Sequence, residues 1–167
     1  APHSAQERRM RQAVLRLAKE TEFAKRMVNG GRLSTPSTYE SPLSTSDQES
    51  WEAGPRPGAH MIDAPLATES GDPIFLTEVF RQGGGGFVLL QSGNDGDDLP
   101  GCHSIQIGES APLRDASGLF AKRYDVSEGA AYLLRPDGYV AARFRKPTRA
   151  AVQAAIARAS AQAGAAS

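Results

Sequence analysis

Four sets of residues in this 167-residue sequence have side chains or backbones used elsewhere in catalysis or ligand binding. Gly83-Gly84-Gly85-Gly86 has the composition of a phosphate cradle. Such a cradle needs a strand, then glycines, then a helix whose N-terminal N–H groups face the anion. Here the glycines precede an apolar strand, so a flexible turn is the better reading. Asn94-Asp95-Gly96-Asp97-Asp98 offers carboxylates for a calcium loop. Leu99 breaks the alternation of oxygen ligands, and the closing position counted from Asp95 is Gln106 rather than glutamate. That stretch reads as a solvated acidic loop. Cys102-His103 sets a nucleophile beside a base, but neighbours on a strand point to opposite faces. His3, His60 and His103 lack metal-ligand spacing, and no second cysteine completes a Cys-x-x-Cys pair. There is no Gly-x-Ser-x-Gly elbow and no Gly-x-Gly-x-x-Gly fingerprint. The residues by themselves assign no catalytic, cofactor-binding or metal-binding position.

The elements that would position such groups follow from size, charge and periodicity. Hydrophobic residues make up 40% of the chain, enough for one domain with a real core and an appended segment. The formal net charge of zero argues against a nucleic-acid binder. That zero hides segregation. Residues 1–32 hold eight basic and three acidic side chains, residues 33–128 hold five and fifteen, and residues 129–167 hold six and one. Basic ends around an acidic middle suit packing of the ends on the middle or on a partner, with solvated surface as the alternative. The single cysteine, Cys102, excludes an internal disulfide and points to a reduced, cytoplasmic setting. No apolar run is long enough to cross a membrane, and the N-terminus lacks a secretory pattern.

Residues 5–29 predict a helix. Met10, Val14, Leu17, Ala18, Ala24, Met27 and Val28 follow three-and-four spacing, Ser4 and Glu7 can cap it, and Asn29-Gly30-Gly31 stops it. Its basic face suits packing on its own or a neighbouring domain, or a membrane surface or partner. Residues 32–58, with Pro36, Pro42, Pro55 and Pro57, predict an extended connector in which Trp51 anchors on a nearby surface. Residues 59–66 predict an irregular or edge segment, and Glu69 to Phe75 a small hairpin around Gly71-Asp72-Pro73. Leu76 to Arg81 predicts a short helix, Phe87 to Leu90 a buried strand, residues 92–101 an acidic loop, and Ile105 to Ile107 a second strand. Leu113 to Tyr124 predicts a helix interrupted at Gly118, and Thr148 to Ala163 an alanine-rich helix capped by Thr148.

The strongest local signal is Tyr132 to Phe144. Two apolar strands flank Arg135, Pro136, Asp137 and Gly138, whose turn chemistry predicts a structural hairpin. Together the elements predict a mixed α/β sheet with helices packed on it.

The order of elements and the closing hairpin resemble a thioredoxin-like fold. In such folds the reactive cysteines follow the first central strand, where this chain has Ser92-Gly93-Asn94-Asp95. Gly129-Ala130-Ala131 stands where those enzymes place a proline. More of the sequence resembles the C-terminal part of the FAD-dependent aromatic hydroxylases, the phenol monooxygenase and hydroxyphenylpropionate hydroxylase group. The matching pieces are Gln6-Glu7-Arg8-Arg9 with its helix, Tyr39-Glu40-Ser41-Pro42-Leu43, and Gly54-Pro55-Arg56-Pro57-Gly58-Ala59. Asp63-Ala64-Pro65-Leu66 and Leu133 to Arg143 complete the set. The glycine run at 83–86 and Ala142, where relatives often carry Trp, depart from the pattern.

That resemblance implies an α/β, thioredoxin-like mixed sheet flanked by helices, preceded by an N-terminal helix and a long extended connector. Residues 1–31 would be the last helix of a flavin module, 32–58 the linker, and 59–167 a thioredoxin-like domain lacking redox cysteines. The implied role is a non-catalytic structural or dimerisation domain of an aromatic-ring monooxygenase. No cofactor is expected in this chain; the parent would use FAD and NAD(P)H, with its flavin-binding module as partner and a homodimer in some members. The alternatives are a stand-alone protein–protein interaction module and a thiol-dependent redox protein using Cys102.

Overall fold

A computed structural model describes residues 38, 41–93, 99–127 and 129–160. These belong to one unit, Ser37–Ser167. The helix expected over 5–29 lies outside the described residues, as do positions 94–98 of the expected acidic loop and positions 161–163 of the helix expected from Thr148.

The apolar runs become the inner strands of a seven-stranded mixed sheet. The strands are β1 (Pro65–Thr68), β2 (Pro73–Phe75), β3 (Phe87–Ser92), β4 (Cys102–Ile107), β5 (Leu113–Arg114), β6 (Ala131–Leu134) and β7 (Val140–Phe144). Their spatial order is β2-β1-β5-β4-β3-β6-β7. β3 runs parallel to β4, and β4 to β5, whereas β3/β6, β6/β7, β1/β2 and β1/β5 are antiparallel. Among the described residues three helices accompany them: α1 (Leu76–Gln82), α2 (Leu119–Tyr124) and α3 (Arg149–Ala159). This is a thioredoxin-like arrangement. Among the described residues no helix is long and apolar enough to cross a membrane.

Period-two alternation divides the core between two faces. Val88, Leu90, Ile105, Ile107, Tyr132 and Leu134 point to one face, where Phe120 and Tyr124 of α2 and Leu76 of α1 cover them. Leu89, Leu133, Ala141 and Ala142 point to the other, under Val152 and Ala155 of α3. The first face is rich in large aromatic rings, and the second is built mainly from alanine and leucine. A bulge between β6 and β7 pairs Leu133 with Ala142 but Leu134 with Val140. The extra residue, Ala141, joins Ala142 on the alanine face, and Val140 returns to the aromatic face.

Two expectations need correction. Leu113 and Arg114 are not helical. They form β5, pairing with Thr68 and Ala67 of β1, and the helix begins only at Leu119. Gly118 adopts φ +67° immediately before it, a left-handed conformation that cannot sit inside a helix. Asp115 Oδ2 accepts from Ala121 N at 2.9 Å and so supplies the cap. The hairpin expected from Glu69 begins earlier, because β1 starts at Pro65 and residues 69–72 form the turn. The Thr148 cap is present: its side chain accepts from Ala151 N.

Candidate functional site

The polar groups concentrate where the connector crosses the sheet. Residues 41–58, the strap, have no regular periodicity, so their backbone groups need partners outside helix or ladder. β7 supplies several. Thr45 N donates to Ala141 O at 2.8 Å, so the carbonyl at the bulge residue has its partner in the strap. Gly58 N donates to Val140 O at 2.8 Å, Val140 N to Ala59 O at 2.8 Å, and Met61 N to Gly138 O at 2.8 Å. The strap therefore covers the outer edge of β7. Gly54 makes the closest pass. It adopts φ +82°, and a Cβ there would lie 2.4 Å from Tyr132 Oη and 2.7 Å from Tyr124 O. Only glycine fits that crossing.

Two arginines hold the strap down, Arg143 of β7 and Arg145 just beyond its end. Arg143, with a side chain only 3% exposed, grips Asp47 with both arms: Nε to Oδ1 at 2.7 Å and Nη2 to Oδ2 at 2.6 Å. Its remaining nitrogen donates to Ala53 O at 3.0 Å. Arg145 donates to Ser50 O at 3.1 and 3.2 Å, to Asp125 Oδ2 at 2.7 Å and to Asp125 O. Asp125 in turn accepts from Glu52 N at 2.9 Å and Ala53 N at 3.3 Å. Trp51 lies between these charges, its ring centre 4.7 Å from the Arg143 guanidinium and 3.7 Å from that of Arg145. Its ring meets Tyr132 edge-on at 5.3 Å, and Tyr132 meets Tyr124 edge-on at 5.0 Å. Trp51 is thus the anchor of the connector.

The electrostatics match a clamp. Burial works against the charge on Arg143, but hydrogen bonds with Asp47 and Tyr132 outweigh it and hold its pKa above the ordinary value. The Arg145 hydrogen bond, followed by that from Glu52 N, keeps the Asp125 carboxyl below its usual range. Burial pushes Tyr132 up to about 12 and Tyr124 further still, so both phenols are neutral donors at physiological pH. Tyr132 Oη donates to Tyr124 O at 2.6 Å, and Tyr124 Oη donates to Ile62 O at 2.6 Å. These groups hold chain together; none is poised to move a proton.

Arg135, Pro136, Asp137 and Gly138 lie in the turn between β6 and β7. Arg135 N donates to Tyr139 O at 2.8 Å, Gly138 N to Arg135 O at 2.9 Å, and Arg135 pairs with Asp137. Gly138 has φ +81° with the His60 ring packed against it. This turn stands apart from the clamp, which draws on β7 further along. Cys102 and His103 fall on opposite faces of β4. Cys102 packs with the alanine face, while the His103 ring lies near Gly83 beside Val88. Among the described residues no cluster of three or more His, Cys, Asp or Glu could hold a metal ion. Sequence reasoning did not single out Asp47, Asp125, Arg143 or Arg145. The signal it did register was the pairing of a basic end with an acidic middle, and these two ion pairs are instances of it.

Open hollows of about 500–570 Å³ lie on the described surface. One lies on the strap, one beside α1 around Phe75 and Glu78, and one between the end of β4 and α2, floored by Ile107 and Phe120.

The family model described as "Aromatic-ring hydroxylase, C-terminal" matches residues 54–163. Among solved structures, the flavin-dependent monooxygenase PieE, in complex with FAD and substrate, superposes with a TM-score of 0.62 at 24% identity, over 96% of this chain and 31% of that one. Aklavinone-11 hydroxylase, in a ternary complex with FAD and aklavinone, gives 0.58 at 21% identity, over 74% and 26%. RebC-10x gives 0.57 at 21% identity, over 96% and 30%. At these identities the likeness is one of fold. The chain spans less than a third of the length of each. No curated protein matches the sequence.

Proposed function

The chain belongs to the family of aromatic-ring hydroxylase C-terminal domains, and from that premise we propose that it is the non-catalytic structural domain of a flavin-dependent aromatic-ring monooxygenase. The observation that carries this reading is the family match over residues 54–163, taken with structural relatives of which the chain covers 26–31%. In a protein of that length a flavin-binding module would be the first partner. The parent would use FAD, NAD(P)H and oxygen to hydroxylate a phenolic or polyketide-like ring in the cytoplasm. PieE and aklavinone-11 hydroxylase were each solved with FAD, the second with aklavinone as well. Residues 1–31 would close the flavin module, 32–58 would link it, and 59–167 would form the supporting domain and contribute to dimerisation. The clamp supports the structural part of this reading. Arg143, Arg145, Asp47 and Asp125 all engage one another or backbone groups, and together they fix the path of the strap. The hairpin residues Arg135 to Gly138 would serve as turn-formers.

Titration of the purified chain with FAD, followed by flavin fluorescence and gel filtration, tests the proposal. The expected result is no stoichiometric yellow complex, and a stoichiometric bound flavin would overturn it. Sedimentation of the same chain tests dimerisation: a strict monomer at high concentration removes that part.

A further inference from the structure

The outer face of α1 carries groups that the fold does not use. Leu76 is buried, and Val79 and Phe80 pack against the aromatic face of the core. At about 3.6 residues per turn, the helix therefore turns Thr77, Glu78, Arg81 and Gln82 outward. These four line one hollow of about 500 Å³ together with Asp63 and with Phe75, the residue just before the helix. Asp63 is occupied, since its Oδ1 accepts from Ala64 N and Thr77 N at 3.0 Å each. Glu78 and Arg81 are not. Among the described residues neither side chain has a hydrogen bond or an ion pair. Phe75, 55% exposed, is the most exposed large apolar side chain among the described residues. Past the end of the helix, Gly84, Gly85 and Gly86 present bare backbone: a Cβ added at any of them would meet nothing within 4 Å.

The order of these groups is self-complementary. A second copy of α1 can lie antiparallel to the first, about a two-fold axis level with the midpoint of Val79 and Phe80. Glu78 then stands opposite Arg81 of the second copy, Thr77 opposite its Gln82, and Phe75 opposite its Gly84. Each contact occurs twice, as a two-fold interface requires. Opposite charges meet, a hydroxyl meets an amide, and an exposed ring lies over open backbone. A parallel arrangement would set glutamate against glutamate and arginine against arginine. We infer that this face joins two copies of the chain through α1, which rests on the dimerisation proposed for the domain and fixes where it takes place. The contact uses side chains of α1 rather than the backbone of the β2 edge, which its proline and its three-residue length make a poor template. The face is small, so the pairing belongs with the weak associations that bury under about 1,200 Å².

Charge reversal tests it. Sedimentation of the full chain from roughly 10 µM to 1 mM should show reversible dimers. Glu78→Arg sets arginine against arginine twice, and Arg81→Glu sets glutamate against glutamate twice. Either variant alone should self-associate about tenfold more weakly. Mixed in equal amounts, the two variants restore both opposite-charge pairs and should associate with each other at close to wild-type affinity, a rescue that a misfolded variant cannot give. Phe75→Ser should weaken the dimer about tenfold as well. Wild-type chain that stays monomeric over the whole range overturns the inference together with dimerisation, and leaves the face to the flavin module. Dimers unaffected by Phe75→Ser or by either charge reversal, or single variants that fail to associate when mixed, overturn the inference alone and leave dimerisation to another surface. None of these outcomes bears on the flavin titration.

Discussion

The sheet ends in two edges protected in opposite ways. β7 is five residues long and almost wholly buried, and the strap covers its outer side with backbone hydrogen bonds, two arginines and a tryptophan. β2 is three residues long, begins with a proline that has no N–H to offer, and ends at Phe75, 55% exposed. A long apolar edge is a template for pairing with another chain, whereas a short one opened by proline is a poor template. β7 therefore needs a cover and β2 does not. The difference teaches where the polar chemistry of this domain is spent: on one edge, where irregular chain must be fixed in place.

If that contrast is right, the largest loss comes from the centre of the clamp. Arg143→Leu keeps volume but strands Asp47 and the carbonyls of Ala53 and Gly54. It should cost about 3 kcal/mol, near the lower end for breaking a buried pair, because Asp47 is partly exposed and can rehydrate. Urea denaturation followed by Trp51 fluorescence reads it directly. A loss below about 1 kcal/mol, the scale of a surface ion pair, would mean that the strap merely rests on the sheet. Gly54→Ala comes next, at about 2 kcal/mol, since it adds both left-handed strain and a methyl group against Tyr132 Oη and Tyr124 O. Wild-type stability in that variant would show that the strap can shift away from Tyr132.

The two edges also differ in how far the sequence reveals them. The β2 hairpin and the 135–138 turn announce themselves through Gly71-Asp72-Pro73 and Pro136-Asp137-Gly138, because turn chemistry is local. Strands β3 and β6 are legible for a related reason: a run such as Phe87 to Leu90 buries both faces and shows as unbroken apolar sequence, whereas β4 shows by the alternation of Ile105 and Ile107 with polar neighbours. The clamp is not legible in that way. Arg143 and Asp47 are 96 positions apart, and Arg145 and Asp125 are 20 apart. No periodic pattern links them, so segregated charge was the only trace. Trp51 stood out by composition, but its partners Tyr132, Arg143 and Arg145 come from another part of the chain. β5 was hidden because two residues show no alternation, and Leu113 and Arg114 continue smoothly into what looks like helix.

A smaller effect separates burial from charge at the clamp. Tyr132→Phe removes the donor to Tyr124 O and should cost about 1 kcal/mol at neutral pH. It should also change the alkaline limb. Burial raises the Tyr132 pKa from 10.0 to about 12, so the folded state retains a proton that the unfolded state releases. The stabilisation is complete below pH 10.0 and is lost as pH rises towards 12. Stability measured across that window should fall less steeply in the variant. Equal slopes would show that Tyr132 is open to solvent and that the strap does not seal it.

The smallest effect belongs to the bare edge. Phe75→Ser removes a large apolar side chain, yet more than half of that side chain is already in water, and the backbone pairing of Phe75 with Pro65 does not depend on it. Phe75 is also the N-cap residue of α1 and makes no side-chain cap, a position where serine is favoured. Part of that gain is already taken, since Asp63 Oδ1 accepts from Thr77 N at 3.0 Å. Lost contact and gained cap should nearly cancel, leaving a change within about 0.5 kcal/mol, as for most surface substitutions. A loss above about 1 kcal/mol would place Phe75 in a packing role that its exposure denies. The two edges would then differ in degree only, and the strap would lose its standing as the one edge this domain is built to hold.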